Sequence, residues 1–138
     1  MSAETLNLDK LAAELAQSMV NKAKQGVDGV KKPVETLERL DTKALGVLQE
    51  QGVYALMLFL FSRTGDEHKV APIIRAQLYE ALRKLPDFKD SDIKDDDAEK
   101  ALKFYTDNVL KNLDTLLLIR DLYEQTLIYA RYGAKAEG

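Results

Sequence analysis

Nine consecutive apolar residues, Val53-Tyr54-Ala55-Leu56-Met57-Leu58-Phe59-Leu60-Phe61, stand between Gly52 and Ser62. A helix that is apolar on every side has to be enclosed by other elements, so the run predicts a central helix with the rest of the chain wrapped around it. It is too short to span a membrane, which takes about 20 apolar residues. The enclosing elements are predicted to be helices too. Apolar residues recur at three- and four-residue intervals on both sides of the run, and no segment alternates with the period of a strand.

The first helix is predicted over residues 8–25, where Leu8, Leu11, Ala12, Leu15, Ala16, Met19, Val20 and Ala23 share a face and Gly26 follows as the cap. Pro33 suits a first helical position, and Val34, Leu37 and Leu40 make a short amphipathic piece after it. Asp41 or Thr42 is placed as the cap of the central helix, which then extends to Arg63. Gly46 and Gly52 within it would let a neighbouring helix approach closely. Thr64-Gly65-Asp66 separates it from a fourth helix that begins at Glu67 or Pro72 and ends at Leu85. There Val70, Ile73, Ile74, Leu78, Ala81 and Leu82 face inward, and Arg75, Glu80, Arg83 and Lys84 outward.

Residues 86–97 are expected to form a loop, with Asp96 and Glu99 making a capping box for the next helix. Residues 98–132 lack Pro and Gly and carry one apolar stripe: Leu102, Tyr105, Val109, Leu113, Leu116, Ile119, Tyr123, Leu127 and Ala130. They form one long helix or two broken near Asn112-Leu113-Asp114. Gly133 should end it and residues 134–138 should fray. The fold class is therefore all-α, a single-domain bundle of about five helices over residues 1–138 with a central apolar helix.

A chain of 138 residues is long enough to build its core without staples. It has no cysteine, which removes disulfides, thiolate metal sites and cysteine nucleophiles. Residues 1–9 show neither a basic nor an apolar leader region. Together these features set a cytoplasmic location as the expectation. The net charge is −3, unevenly spread. Residues 87–99 hold seven carboxylates (Asp87, Asp90, Asp92, Asp95, Asp96, Asp97, Glu99) against Lys89 and Lys94, so the remainder of the chain carries a small positive excess. The overall acidity argues against a generic nucleic-acid binder but leaves room for a local basic face.

No catalytic constellation emerges. His68, the one histidine, lies in a polar Asp66-Glu67-His68-Lys69 turn at a helix start, where a solvated side chain is expected. Asp90-Ser91-Asp92-Ile93-Lys94-Asp95 superficially resembles a calcium loop, but Lys94 stands at the fifth position, Asp95 at the sixth and Ala101 at the twelfth. No carboxylate is placed on an apolar stripe, as paired acid–base chemistry would need, and no phosphate-binding glycine loop is present. The chain is thus expected to be no enzyme and to hold no cofactor and no metal. Two basic runs, Lys22/Lys24/Lys31/Lys32 and Arg75/Arg83/Lys84, could follow phosphates. Tyr105, Tyr123, Tyr129 and Tyr132 with Arg120 and Arg131 could stack on bases, although tyrosines at helical spacing more often fill a core.

The stretch Val47-Leu48-Gln49-Glu50-Gln51-Gly52-Val53-Tyr54-Ala55-Leu56-Met57-Leu58-Phe59-Leu60-Phe61-Ser62-Arg63 resembles the central helix of the small helical subunit of multi-subunit CRISPR effector complexes, type I or type III. Gln51-Gly52, Leu56, Phe59 and Ser62-Arg63 carry the likeness. Leu122-Tyr123-Glu124-Gln125-Thr126-Leu127 with Arg131-Tyr132 is similar to that family's last helix, but the tryptophan common there in type III members is missing. The resemblance implies a non-enzymatic subunit of an RNA-guided antiviral complex. Its partners would be the backbone subunits, further copies of itself and single-stranded nucleic acid, either target RNA or the displaced DNA strand. By this reading the contacts fall to Arg75, Arg83 and Lys84, then Lys22, Lys24, Arg63 and Arg131. The alternative is a stand-alone helical adaptor for a protein partner, supported by the acidic loop. A small-ligand or carboxylate-metal bundle has little behind it beyond fold class.

Overall fold

Asn7 opens the first helix by accepting a hydrogen bond from the Lys10 amide at 3.0 Å, the expected work of an N-cap. From there the computed structural model, which describes residues 7–93, 95 and 97–137, builds six α-helices. They are α1 (Leu8–Lys24), α2 (Pro33–Gln51), α3 (Val53–Phe61), α4 (Gly65–Arg83), α5 (Ala98–Phe104) and α6 (Leu113–Glu137). A 3₁₀ turn, Pro86–Phe88, follows α4, and a π-helical turn, Tyr105–Val109, continues α5. Beyond one isolated bridge between Val27 and Val30, no strand occurs among the described residues. The all-α bundle expected from the periodicity is therefore the fold. α1 and α2 lie along α6, α4 packs on α1 and α2, and α3 joins α2 to α4.

The boundaries depart from the expectation in ways that matter for the site. Asp41 and Thr42 cap nothing. They lie inside α2, where the Thr42 hydroxyl donates to the Glu38 carbonyl at 2.9 Å and Asp41 is fully buried. The break falls at Gly52, whose φ of 98° is open to glycine and costly for other residues. There the Gly52 amide still reaches the Leu48 carbonyl at 3.0 Å, and the chain restarts as α3. α3 is not fully enclosed either. Val53, Leu56, Met57 and Leu60 are buried, Tyr54, Ala55, Phe59 and Phe61 are half-buried, and Leu58 faces solvent.

α4 begins at Gly65, so Pro72 sits within it rather than at its start. The 98–132 stripe is interrupted after the π-helical turn, and Asn112 caps α6 by accepting from the Thr115 amide at 3.0 Å. Leu113, placed on the inward stripe by sequence, is 67 % exposed. Gly133 does not end α6, nor does the helix fray over residues 134–137. A β-carbon at Gly133 would lie 3.3 Å from Val20 Cγ2, so this glycine lets α1 and α6 close together. Ala134 is buried, and Lys24 pairs with Glu137 at 3.2 Å. Asp97 caps α5 by accepting from the Lys100 amide at 3.2 Å, while the capping box expected at Asp96 falls outside the described residues. Lys94, Asp96 and Gly138 lie outside the described residues.

Candidate functional site

Because α2 is continuous through residue 41, Arg39 and Lys43 stand one turn apart on its exposed face. Arg63 arrives from the other direction, in the short link between α3 and α4. Its Nε donates to the Phe59 carbonyl at 3.1 Å, its guanidinium lies 3.8 Å over the Phe59 ring, and its Nη2 donates to Ser62 Oγ at 3.2 Å. A ring face and a carbonyl thus aim the charge before any ion pair is made. Glu67, in the first turn of α4, is the meeting point. Its Oε2 accepts from Lys43 Nζ at 2.8 Å and Arg39 Nε at 3.3 Å, and its Oε1 pairs with Arg63 Nη1 at 3.4 Å.

Three cations share one carboxylate, which leaves a local surplus of two positive charges. The carboxylate is withdrawn and its cations are not. Side-chain exposure is 12 % for Glu67, 24 % for Arg63 and 48 % for both Arg39 and Lys43. Partial burial opposes ionisation of Glu67, but the hydrogen bonds from Lys43 and Arg39, the Lys43 charge and the Arg63 bond outweigh it and hold the carboxyl below its ordinary value. The group therefore stays ionised while Arg39 and Lys43, about half exposed, remain open to a further anion. Nearby, Lys69 of α4 lies against Gly29 in the α1–α2 loop, where Lys31 and Lys32 are exposed.

Of the residues singled out from sequence, Arg63 belongs to this cluster and Arg75 does not. Arg75 was expected to face outward, yet it is only 8 % exposed. Its position falls on the buried face of α4 among Ala71, Ile74, Leu78 and Tyr79. Nε donates to Asp95 Oδ1 at 2.8 Å, Nη1 to the Leu60 carbonyl at 3.3 Å, and the guanidinium lies 4.3 Å from the Phe61 ring. Arg83 pairs within α4 with Glu80 at 3.0 Å, and Lys84, exposed, is the C-cap of α4. These two stand about 24 Å along α4 from Glu67, at the end that leads into the acidic loop. Lys22 and Lys24 are exposed at the end of α1, with Lys24 held by Glu137. Arg131 is half-buried, 5.6 Å from the Tyr132 ring, and its buried Nε has no partner among the described residues.

Arg39, Lys43 and Glu67 were not among the sequence candidates. The signal was their spacing, Arg39 to Lys43 across one turn, and it was hidden by placing a helix start between them.

Further buried polar groups lie among the apolar residues. The expectation that no carboxylate lies on an apolar stripe fails at Asp41. It is fully buried between Leu40 and Ala44, neither oxygen has a hydrogen-bond partner, and burial, reinforced by Glu38, pushes its pKa well up. Tyr105 and Tyr123 are core residues rather than stacking platforms. Their hydroxyls lie 2.6 Å apart, and the Tyr79 ring sits 6.3 Å from that of Tyr105. Burial raises the pKa of all three. The Tyr129 hydroxyl is tied to Asp9, while Tyr132 is exposed. Among the described residues no helix is long and apolar enough to cross a membrane, and no three metal-ligating side chains gather. No protein-family model, curated protein or solved structure matches this chain.

Proposed function

We propose that this chain is a non-enzymatic, cytoplasmic subunit of a multi-subunit CRISPR effector complex that touches the phosphates of a single strand, either target RNA or displaced DNA. The observation that carries the proposal is the position of Arg63. It closes the Gln51–Arg63 stretch on which the family resemblance rests, and it joins Arg39 and Lys43 in a cluster with surplus positive charge. Such contacts are sequence-independent and salt-sensitive. Arg83, Lys84, Lys22 and Lys24 are secondary contacts on this reading, and Arg75 is withdrawn from the list. The exposed Leu113, Leu117 and Leu118 of α6, with Leu58 of α3, supply apolar surface for neighbouring protein subunits. The same leucines favour the second reading, a helical adaptor that binds a protein and no nucleic acid.

The test is a fluorescence-anisotropy titration of labelled single-stranded RNA and DNA, with an Arg39→Gln/Lys43→Gln/Arg63→Gln variant beside the unaltered chain. Two to three phosphate contacts on a single strand weaken roughly 7- to 18-fold between about 50 and 200 mM salt. The expected result is binding with that dependence, lost in the variant. Salt-independent capture of a protein partner, with no strand bound at either salt, would replace the proposal by the adaptor reading.

A further inference from the structure

From the geometry of the cluster we infer that Glu67 occupies a phosphate-binding site of this chain and limits how tightly an outside phosphate can be held there. Arg39 and Lys43 come from α2 and Arg63 from the link before α4, so three donors from two elements converge on one anionic group. That is the donor arrangement a phosphate oxygen cluster requires. Here the lodging is taken by a carboxylate whose two oxygens receive all three side chains: Oε2 from Lys43 and Arg39, Oε1 from Arg63.

Glu67 does two opposed things. It gathers cations that would otherwise repel one another, and it cancels one of their charges at the point where an incoming anion must approach. Its side chain is largely covered while Arg39 and Lys43 are about half exposed, so a phosphate has to share the cations from outside or displace the carboxylate. An internal anion of this kind keeps single contacts weak and leaves tight binding to arrays of several sites. The ligand class is a phosphate group. The inference that the phosphate belongs to a nucleic-acid strand rests on the function proposed above.

Glu67→Gln separates these roles, because the amide keeps the shape and one acceptor oxygen while removing the charge. Asp66→Asn is the control. It removes the same charge from an exposed position one residue away that makes none of the three contacts. Both variants, the unaltered chain and Glu67→Gln/Lys43→Gln are titrated with labelled oligo-dT and oligo-rU at two salt concentrations. In parallel, inorganic tripolyphosphate is titrated while thermal unfolding is followed.

Glu67→Gln is expected to bind strands about 3- to 10-fold more tightly, with a log–log salt slope steeper by about 0.7, the increment for one more released counterion on a single strand. It should also gain stabilisation by tripolyphosphate. Asp66→Asn should move affinity less than about twofold, because its carboxylate is exposed and makes none of the three contacts, and adding Lys43→Gln should cancel the gain. A folded Glu67→Gln protein that binds strands and tripolyphosphate no better than Asp66→Asn overturns the inference. If the unaltered chain still binds strands in that case, the proposed function stands without it. If Glu67→Gln gains tripolyphosphate binding while no variant binds a strand, the phosphate site is upheld and the nucleic-acid reading falls.

Discussion

Arg63 and Arg75 both lay a guanidinium on a phenylalanine of α3, Phe59 for one and Phe61 for the other, and both meet a carboxylate. Their surroundings turn the same chemistry to opposite ends. Arg75 is covered, with its Nε held by the Asp95 carboxylate and its Nη1 by the Leu60 carbonyl. Its product is internal, since it fastens the acidic loop to α4 and α3. Arg63 shares its carboxylate with two other cations, so charge is left over on the surface. Availability for a partner therefore depends on the local ratio of cations to carboxylates and not on the number of arginines. Asp41 extends the series to its limit, a carboxyl with no cation at all. Three cations pull the Glu67 carboxyl down, while burial without any pushes Asp41 up.

The largest expected effect comes from breaking the covered member of the comparison. Arg75→Ala leaves Asp95 without its cation and the Leu60 carbonyl without its donor. Removing one partner of a buried pair costs about 3 kcal/mol or more, somewhat less here because Asp95 is partly exposed. The expected outcome in urea unfolding is a loss of about 2–3 kcal/mol. Strand binding measured below the melting transition should be unchanged. A variant that kept its stability and lost strand binding would reverse the roles of the two arginines.

Asp41 gives the next effect, and its sign is opposite to that of a paired carboxylate. Its folded pKa lies above the unfolded value of about 3.9, so the folded chain holds the proton more tightly. The contribution is therefore fully present below that unfolded value and is lost as pH rises through the folded one, at up to about 1.4 kcal/mol per pH unit. Asp41→Asn removes this titration. The stability difference between variant and unaltered chain should shift in favour of the variant as pH rises above the unfolded value of about 3.9, as read from urea midpoints. A difference that did not change with pH would mean that Asp41 ionises in the folded chain as readily as in the unfolded one.

Much of the fold could be read from period alone, since α1 and the inward faces of α4 and α6 follow the apolar spacing. Two of the failures share a cause: a charged residue was taken as a surface residue. Asp41 looked like a cap because carboxylates usually stand at helix starts, and Arg75 looked solvated because arginine is seldom covered. Both are held inside by tertiary contacts absent from a linear pattern. The placement of Asp41 divided α2 and so concealed the Arg39–Lys43 pair. The π-helical turn at Tyr105–Val109 had no sequence mark either, because it slips the helix by one hydrogen bond without glycine or proline. Leu113, drawn into the stripe, is instead the first residue of α6 after the break at Asn112 and is exposed.

The smallest expected effect tests the exposed member of the comparison, and it separates charge from aim. Arg63→Lys keeps the positive charge but not the planar group that lies on Phe59 and donates to the Phe59 carbonyl and to Ser62. Lysine would be free to follow Glu67 or solvent. Exposed ion pairs contribute at most about 1 kcal/mol and a surface ring contact about 0.5–1 kcal/mol. The loss of stability should therefore stay below about 1 kcal/mol, well under that of Arg75→Ala. Strand affinity should fall about two- to fivefold with an unchanged salt slope, since the number of neutralised phosphates is the same. If affinity and slope were both unchanged, Arg63 would be acting through its charge alone, and the Phe59 ring would be a packing surface rather than the element that aims it.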